Sequence, residues 1–195
     1  MRIGLLALFT IAIAPAWAQN SDLGFLLGVS PLKAQSSISG GSISSTVDAN
    51  VQLDYSIQLK ETAVGAFYLE LPLAALFHGS NRVGPNIVSS ERDIIFFTPG
   101  VRWKLWVHSR VSFYAALGAG LASFGASVST VGPGISNISS RTTGPAMDFG
   151  GGIDFRLTRL LSLRCEGRDY VTRSNAGGFS GAHHAALDVG VGFHF

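Results

Sequence analysis

The sequence predicts an all-β chain, an eight-stranded antiparallel up-and-down transmembrane β-barrel. Three observations predict it. Apolar residues recur at every second position through eight segments of roughly ten residues, the length of a tilted membrane-crossing strand. The connections between these segments alternate between short and long, as they do in outer-membrane barrels. Only 13% of the 195 residues are charged and 24 are glycine, whereas a soluble domain carries about 25% charge. The same composition narrows the function. With 14 Lys+Arg against 12 Asp+Glu and no basic run, nucleic acid is not an expected partner. One Cys excludes a disulfide framework and a four-thiolate zinc site.

The chain opens on an export signal. Arg2 supplies a positive start, Ile3 to Ala14 is apolar, Pro15 breaks the run, and Ala16-Trp17-Ala18 is a small-x-small cleavage site. The apolar run is shorter than the ~20 residues of a spanning helix. Residues 1–18 are therefore read as a signal peptide and 19–195 as one barrel domain.

The strands follow in order. Leu23, Phe25, Leu27 and Val29 alternate with Asp22, Gly24 and Gly28. Val51, Leu53, Tyr55, Ile57 and Leu59 alternate with Asn50, Gln52, Asp54, Ser56 and Gln58. Phe67, Leu69 and Leu71 enclose Tyr68 and Glu70, and Val101, Trp103 and Leu105 enclose Arg102 and Lys104. Val111, Phe113, Leu117 and Leu121 alternate with Ser112, Tyr114, Gly118 and Gly120. Phe149, Ile153, Phe155 and Leu157 share one parity, and Asp148, Gly150, Gly152, Asp154 and Arg156 the other. Leu161, Leu163 and Cys165 alternate with Ser162, Arg164, Glu166 and Arg168. The last segment sets Ala185, Leu187, Val189, Val191, Phe193 and Phe195 against His184, Ala186, Asp188, Gly190, Gly192 and His194. Tight turns are expected at Lys60-Glu61, Trp106 to Arg110 and Thr158 to Leu160, and long loops near 33–47, 73–92, 123–143 and 172–183. Pro99, on the apolar parity, cannot donate to a ladder and predicts a bulge or kink. Asp169 has outward parity and is placed at the extracellular rim, above the hydrocarbon.

Alternation alone does not say which face is inside. A soluble periplasmic, lipocalin-like ligand-binding barrel would bury the apolar face. The opposite orientation is favoured because the polar face is rich in glycine, suited to a crowded lumen, and because the chain has only three Lys to solvate an outer surface. The apolar face also ends in aromatics, among them Tyr55, Trp103, Phe113 and Phe155, as an interfacial girdle does. Outer-membrane lipid is the partner this face implies.

With its small-x-small signal, eight alternating segments and terminal Val189-Gly190-Val191-Gly192-Phe193-His194-Phe195, the chain resembles the OmpA/OmpX-like outer-membrane β-barrel family. The resemblance implies the fold and the bacterial outer membrane. It further implies that Val191, Phe193 and Phe195 form the signal read by the barrel-assembly machinery. It implies no activity.

Eight strands leave an interior that side chains fill. Asp54, Glu70, Arg102, Lys104, Asp148, Asp154, Arg156, Arg164, Glu166, Arg168 and Asp188 all carry the inward parity. An unpaired charge there is costly, so these six acids and five bases are expected to form a closed ion-pair network and no open pore. Arg164, Glu166 and Arg168 form a ladder facing Asp148 and Asp154.

Chemistry of its own is not expected. Thr172-Arg173-Ser174-Asn175-Ala176 looks partly like the His-x-Ser-Asn-Ala stretch of the outer-membrane lipid A deacylases, but Thr172 stands where the His base belongs, leaving only His183 or His184 to substitute. No metal site or cofactor is predicted: His183 and His184 are neighbours on a strand and face opposite sides. Cys165 reads as a lipid-facing side chain. The remaining functional surface is the long loops, which suit a surface partner or a purely structural role.

Overall fold

The computed structural model describes residues 21–31, 47–82, 88–130, 136–172 and 183–195. The predicted signal segment and Ser174 lie outside them. The strands are β1 (Ser21–Pro31), β2 (Val47–Glu61), β3 (Gly65–Arg82), β4 (Val88–Phe97), β5 (Gly100–Leu105), β6 (Val111–Thr130), β7 (Ser136–Arg156), β8 (Leu161–Thr172) and β9 (His183–His194). Each pairs antiparallel with its neighbours, and β9 returns to β1, closing the sheet. At the seam Ser21 and Phe195 exchange backbone hydrogen bonds of 2.9 and 3.0 Å.

The nine labels make eight staves, because β4 and β5 both lie between β3 and β6. Pro99 has no N–H to give, so the ladder lapses at Thr98-Pro99. It does not slip. Phe97↔Leu121 and Gly100↔Gly118 belong to one register, as do Leu73↔Phe97 and Glu70↔Gly100. Of the bulge or kink expected at Pro99, the bulge is absent, since the strand breaks there in register, while register shifts occur at Gln58/Lys60 and His78/Asn81.

The expectation of long loops over 73–92 and 123–143 is also corrected. β3 continues to Arg82, β4 begins at Val88, and β6 and β7 pair from Val111↔Phe155 to Thr130↔Ser136. Alternation reports a strand only where one face is buried. A hydrogen-bonded ladder persists without it through hydroxyl and β-branched residues such as Ser127-Val128-Ser129-Thr130. Three tight turns sit at the other end, the first at residues 62–64 and not at Lys60-Glu61, which still pair with Phe67 and Ala66 in the β2–β3 ladder. Thr62 N and Oγ1 both donate to Gly65 O at 2.7 Å, and Thr158 Oγ1 accepts from Leu160 N and Leu161 N. Trp106 takes a left-handed φ of 52°, its carbonyl held by Ser109 N, Ser109 Oγ and Ser112 Oγ.

Apart from the pairs beyond the shifts at Gln58/Lys60 and His78/Asn81, the registers pair odd residues with odd and even with even, as in Leu23↔Tyr55 and Phe25↔Val191. One parity therefore faces outward around the whole barrel. Leu53, Leu73, Phe97, Leu117, Phe149, Ile153, Leu187 and Val189 are exposed, while Leu26, Glu70, Arg102, Arg164 and Tyr170 are buried. The outward apolar run on β9 from Ala185 to Phe195 spans about 25 Å along the barrel axis at ~3.3 Å per residue and a ~40° tilt, the height of a bilayer's hydrocarbon. Among the described residues, outward ion pairs stand at its margins. Asp93–Arg141 (3.1 Å) and Asp169–His183 (2.7 Å) stand on the loop side, and Glu61–His108 (2.7 Å) on the turn side.

Candidate functional site: the charged interior

The interior builds up in layers from the turn side. Near that rim, Asp22 meets His194 Nδ1, whose Nε2 lies 3.0 Å from Ser162 Oγ. Above it, Arg164 clamps Asp154 with two hydrogen bonds, Nε to Oδ1 at 2.7 Å and Nη2 to Oδ2 at 3.1 Å, and Lys104 Nζ adds a third contact at 2.6 Å. Two parallel N–H···O bonds to one carboxylate fix direction as well as charge.

At mid-barrel, the Arg102 guanidinium gathers three carboxylates. Its Nη2 lies 2.5 Å from Glu70, 3.1 Å from Asp54 and 3.8 Å from Glu166. The Tyr114 ring packs against both Arg102 (4.6 Å) and Arg164 (5.4 Å), and its hydroxyl donates to Glu166 at 2.5 Å. The ring fits because Gly152 lies beneath it: a Cβ there would come within 2.4 Å of the Tyr114 hydroxyl. One turn higher, Arg168 bridges Glu166 (2.6 Å), Glu70 (2.7 Å) and Asp148 (2.7 Å). Gln52 Nε2 donates to Asp54 and Glu166 while its Oε1 accepts from Tyr170.

The loop-side end of the interior is apolar. Leu76, Ile94, Phe96, Phe124 and Tyr170 pack with alanines from β3, β6, β7 and β9. Phe96 and Tyr170 are stacked at 4.4 Å, with His184 5.6 Å from Phe96. Among the described residues, a charged girdle lines the barrel at mid-height and an apolar cluster lies above it.

Of the eleven residues assigned to the lumen from sequence, ten are buried there. Arg156 is the exception and the correction: it is half-buried and its Nη2 donates to Val107 O at 2.8 Å, because its position at the end of β7 lets the long side chain reach the turn. Asp22 takes a place in the network that the sequence analysis did not assign. Among the described residues, the buried interior holds seven acids (Asp22, Asp54, Glu70, Asp148, Asp154, Glu166, Asp188) and four bases (Arg102, Lys104, Arg164, Arg168). Asn50, Gln52, Tyr114, Tyr170, His184 and His194 were also missed. All share the even parity, which is the signal that could have found them. The apolar cluster was legible in Ile94-Ile95-Phe96-Phe97, where both parities are apolar.

The remaining candidates lie elsewhere. Cys165 faces outward as a free thiol. His183 is exposed and His184 buried, on opposite faces of β9. Thr172 Oγ1 lies inside, 3.5 Å from His184 Nε2. Val191, Phe193 and Phe195 lie on the outward face of the closing strand.

A model of the family described as outer membrane protein beta-barrel domain matches residues 4–195. No curated protein sequence matches the chain. Among solved structures, it is similar to Neisserial surface protein A (14% identity, 90% of this chain and 96% of that chain, TM-score 0.57). It is also similar to the attachment invasion locus protein Ail of Yersinia pestis in complex with the heparin analogue sucrose octasulfate (12%, 90% and 97%, TM-score 0.56). A third likeness is to the outer membrane protease OmpT of Escherichia coli (7%, 91% and 97%, TM-score 0.52). At these identities the likenesses concern the fold, which carries an enzyme as well as surface proteins.

Proposed function

Because the chain belongs to the outer membrane protein beta-barrel domain family, we propose that it is a non-enzymatic outer-membrane barrel. In this reading residues 1–18 are cleaved on export, the lumen conducts no solute, and the role is structural or exercised through the four loop-side connections. One observation carries it: the outward parity is apolar while the inward parity is an ion-paired, side-chain-filled bore. Outward Leu, Val and Phe side chains suit lipid, and the buried cluster of Phe96, Tyr170 and Leu76 toward the loop side supports a closed lumen. A lipocalin-like carrier would need the two faces exchanged. The terminal Val191, Phe193 and Phe195 would serve the barrel-assembly machinery during insertion.

The test is fractionation with heat-modifiability on a gel, followed by planar-bilayer recording. A membrane-extracted species that runs faster unboiled and gives no discrete conductance steps supports the reading. A soluble periplasmic species, or clear single-channel steps, overturns it. Replacing the loop-side segments by short turns then separates the two roles, since a surface interaction is lost with the loops and a structural role is not.

One observation favours a second reading. The Asp169–His183 pair places an acid-oriented imidazole at the outer margin of the apolar band, the orienting half of an acyl-transfer triad, and Ser174 follows β8 by two residues. This reading requires that the purified barrel hydrolyse a lipid acyl ester and that Ser174→Ala abolish it.

A further inference from the structure

We propose that Asp188 is a proton-binding site of the barrel interior: it is a neutral carboxylic acid at neutral pH, held by Asn50, and giving up that proton loosens the loop-side half of the lumen. Each of the other six interior carboxylates touches at least one of Lys104, Arg102, Arg164 and Arg168. Among the described residues, Asp188 has no cation in contact. Its one hydrogen bond comes from Asn50 Nδ2 to Oδ1 at 2.7 Å.

The remaining two atoms of this acid–amide pair carry the argument. Asp188 Oδ2 and Asn50 Oδ1 are both buried and, among the described residues, both without a hydrogen-bond partner. If Asp188 is ionised, both are acceptors and neither can satisfy the other. A proton on Oδ2 makes it a donor, and the pair then has the two complementary hydrogen bonds of a carboxylic acid facing a carboxamide. One proton removes a buried charge and satisfies two buried oxygens.

The surroundings agree. On β8, Glu166 is the cross-strand partner of Asp188, so the neighbouring charge is of the same sign. Arg168, the next inward residue on that strand, is already shared by Glu166, Glu70 and Asp148. β1 presents Gly28, whose place a side chain could not take, because a Cβ would come within 2.0 Å of Asp188 Oδ1. β2 presents Asn50, and β9 itself carries His184 toward the apolar cluster. Among the described residues the interior holds seven acids to four bases, so ionising Asp188 as well adds to the negative charge around it.

The experiment is infrared difference spectroscopy of the refolded barrel in detergent micelles, with aspartate isotope-labelled at its side-chain carboxyl. At neutral pH a label-sensitive carboxylic-acid carbonyl band is expected, which fades as pH is raised and is lost in Asp188→Asn. Absence of the band at neutral pH, or its survival undiminished in that variant, overturns the proposal. If Asp188→Asn does not fold, Asn50→Leu answers the same question: the band must shift when its amide partner is removed, and an unmoved band overturns the assignment. A second readout is the urea midpoint. It is expected to fall between neutral and alkaline pH in the wild type by more than in Asp188→Asn, and an equal fall in both counts against the proposal.

Discussion

Replacing Arg102 by Met keeps much of the side chain's bulk while removing the charge on which Asp54, Glu70 and Glu166 converge. Glu70 and Glu166 retain Arg168 at 2.7 and 2.6 Å. Asp54 does not fare as well: after Arg102 its nearest cation is Arg164 Nη1 at 3.8 Å. One buried carboxylate is thus left nearly uncompensated, a change worth about 3–5 kcal/mol of stability. The assay is urea unfolding in detergent micelles, followed by tryptophan fluorescence and by the gel shift of the folded barrel. Adding Asp54→Asn to Arg102→Met should restore about 1–3 kcal/mol, since the stranded charge is gone and the amide can still accept from Gln52. An Arg102→Met barrel within about 0.5 kcal/mol of wild type, with no coupling to Asp54→Asn, would refute the reasoning. It would mean that the interior is hydrated enough to screen each charge separately.

Three further outcomes follow from the same geometry. Gly28→Val should abolish the folded, heat-modifiable species, because even a Cβ would come within 2.1 Å of Leu187 O on β9 and 2.0 Å of Asp188 Oδ1; normal refolding yield would disprove the close approach. Val189→Arg, midway along the outward run of β9, should cost about 2–4 kcal/mol in lipid vesicles, and Phe155→Arg, near the turn-side margin, about 0–1 kcal/mol; equal costs would argue against the assigned membrane position. At the turn-side rim, His108 and then Gln58 hold the Glu61 carboxyl below its ordinary range through hydrogen bonds. The contact contributes above the ordinary glutamate range and is lost as pH falls through the lowered value, so carboxyl titration by NMR should show Glu61 moving back up in His108→Ala.

The Asp93–Arg141 and Asp169–His183 pairs also show how far the loop-side margin could be read in advance. Asp169 announced itself as a charge on the wrong parity. Asp93 and Arg141 did not: Asp93 directly follows the stretch 73–92 and Arg141 falls within 123–143, where alternation fades and the sequence resembles loop. The ladder there is held by backbone hydrogen bonds, which leave no periodic mark in side-chain chemistry.

The local sequence by itself determined the eight staves, two of the three tight turns and the assignment of residues to two faces. These depend on period-two geometry, and each strand records it independently. It also placed charged residues on the inward parity. Only the tertiary structure decided which charge meets which. Arg102 lies 48 residues from Asp54 and 32 from Glu70 along the chain, and parity cannot say how high a side chain stands in the barrel or how far it reaches. Height and reach removed Arg156 from the network, brought Asp22 into it and left Asp188 facing an amide. Register across the closed sheet set those heights, through pairings such as Gly28↔Asp188 and Glu166↔Asp188, and register is a property of neighbouring strands together, which no single segment encodes.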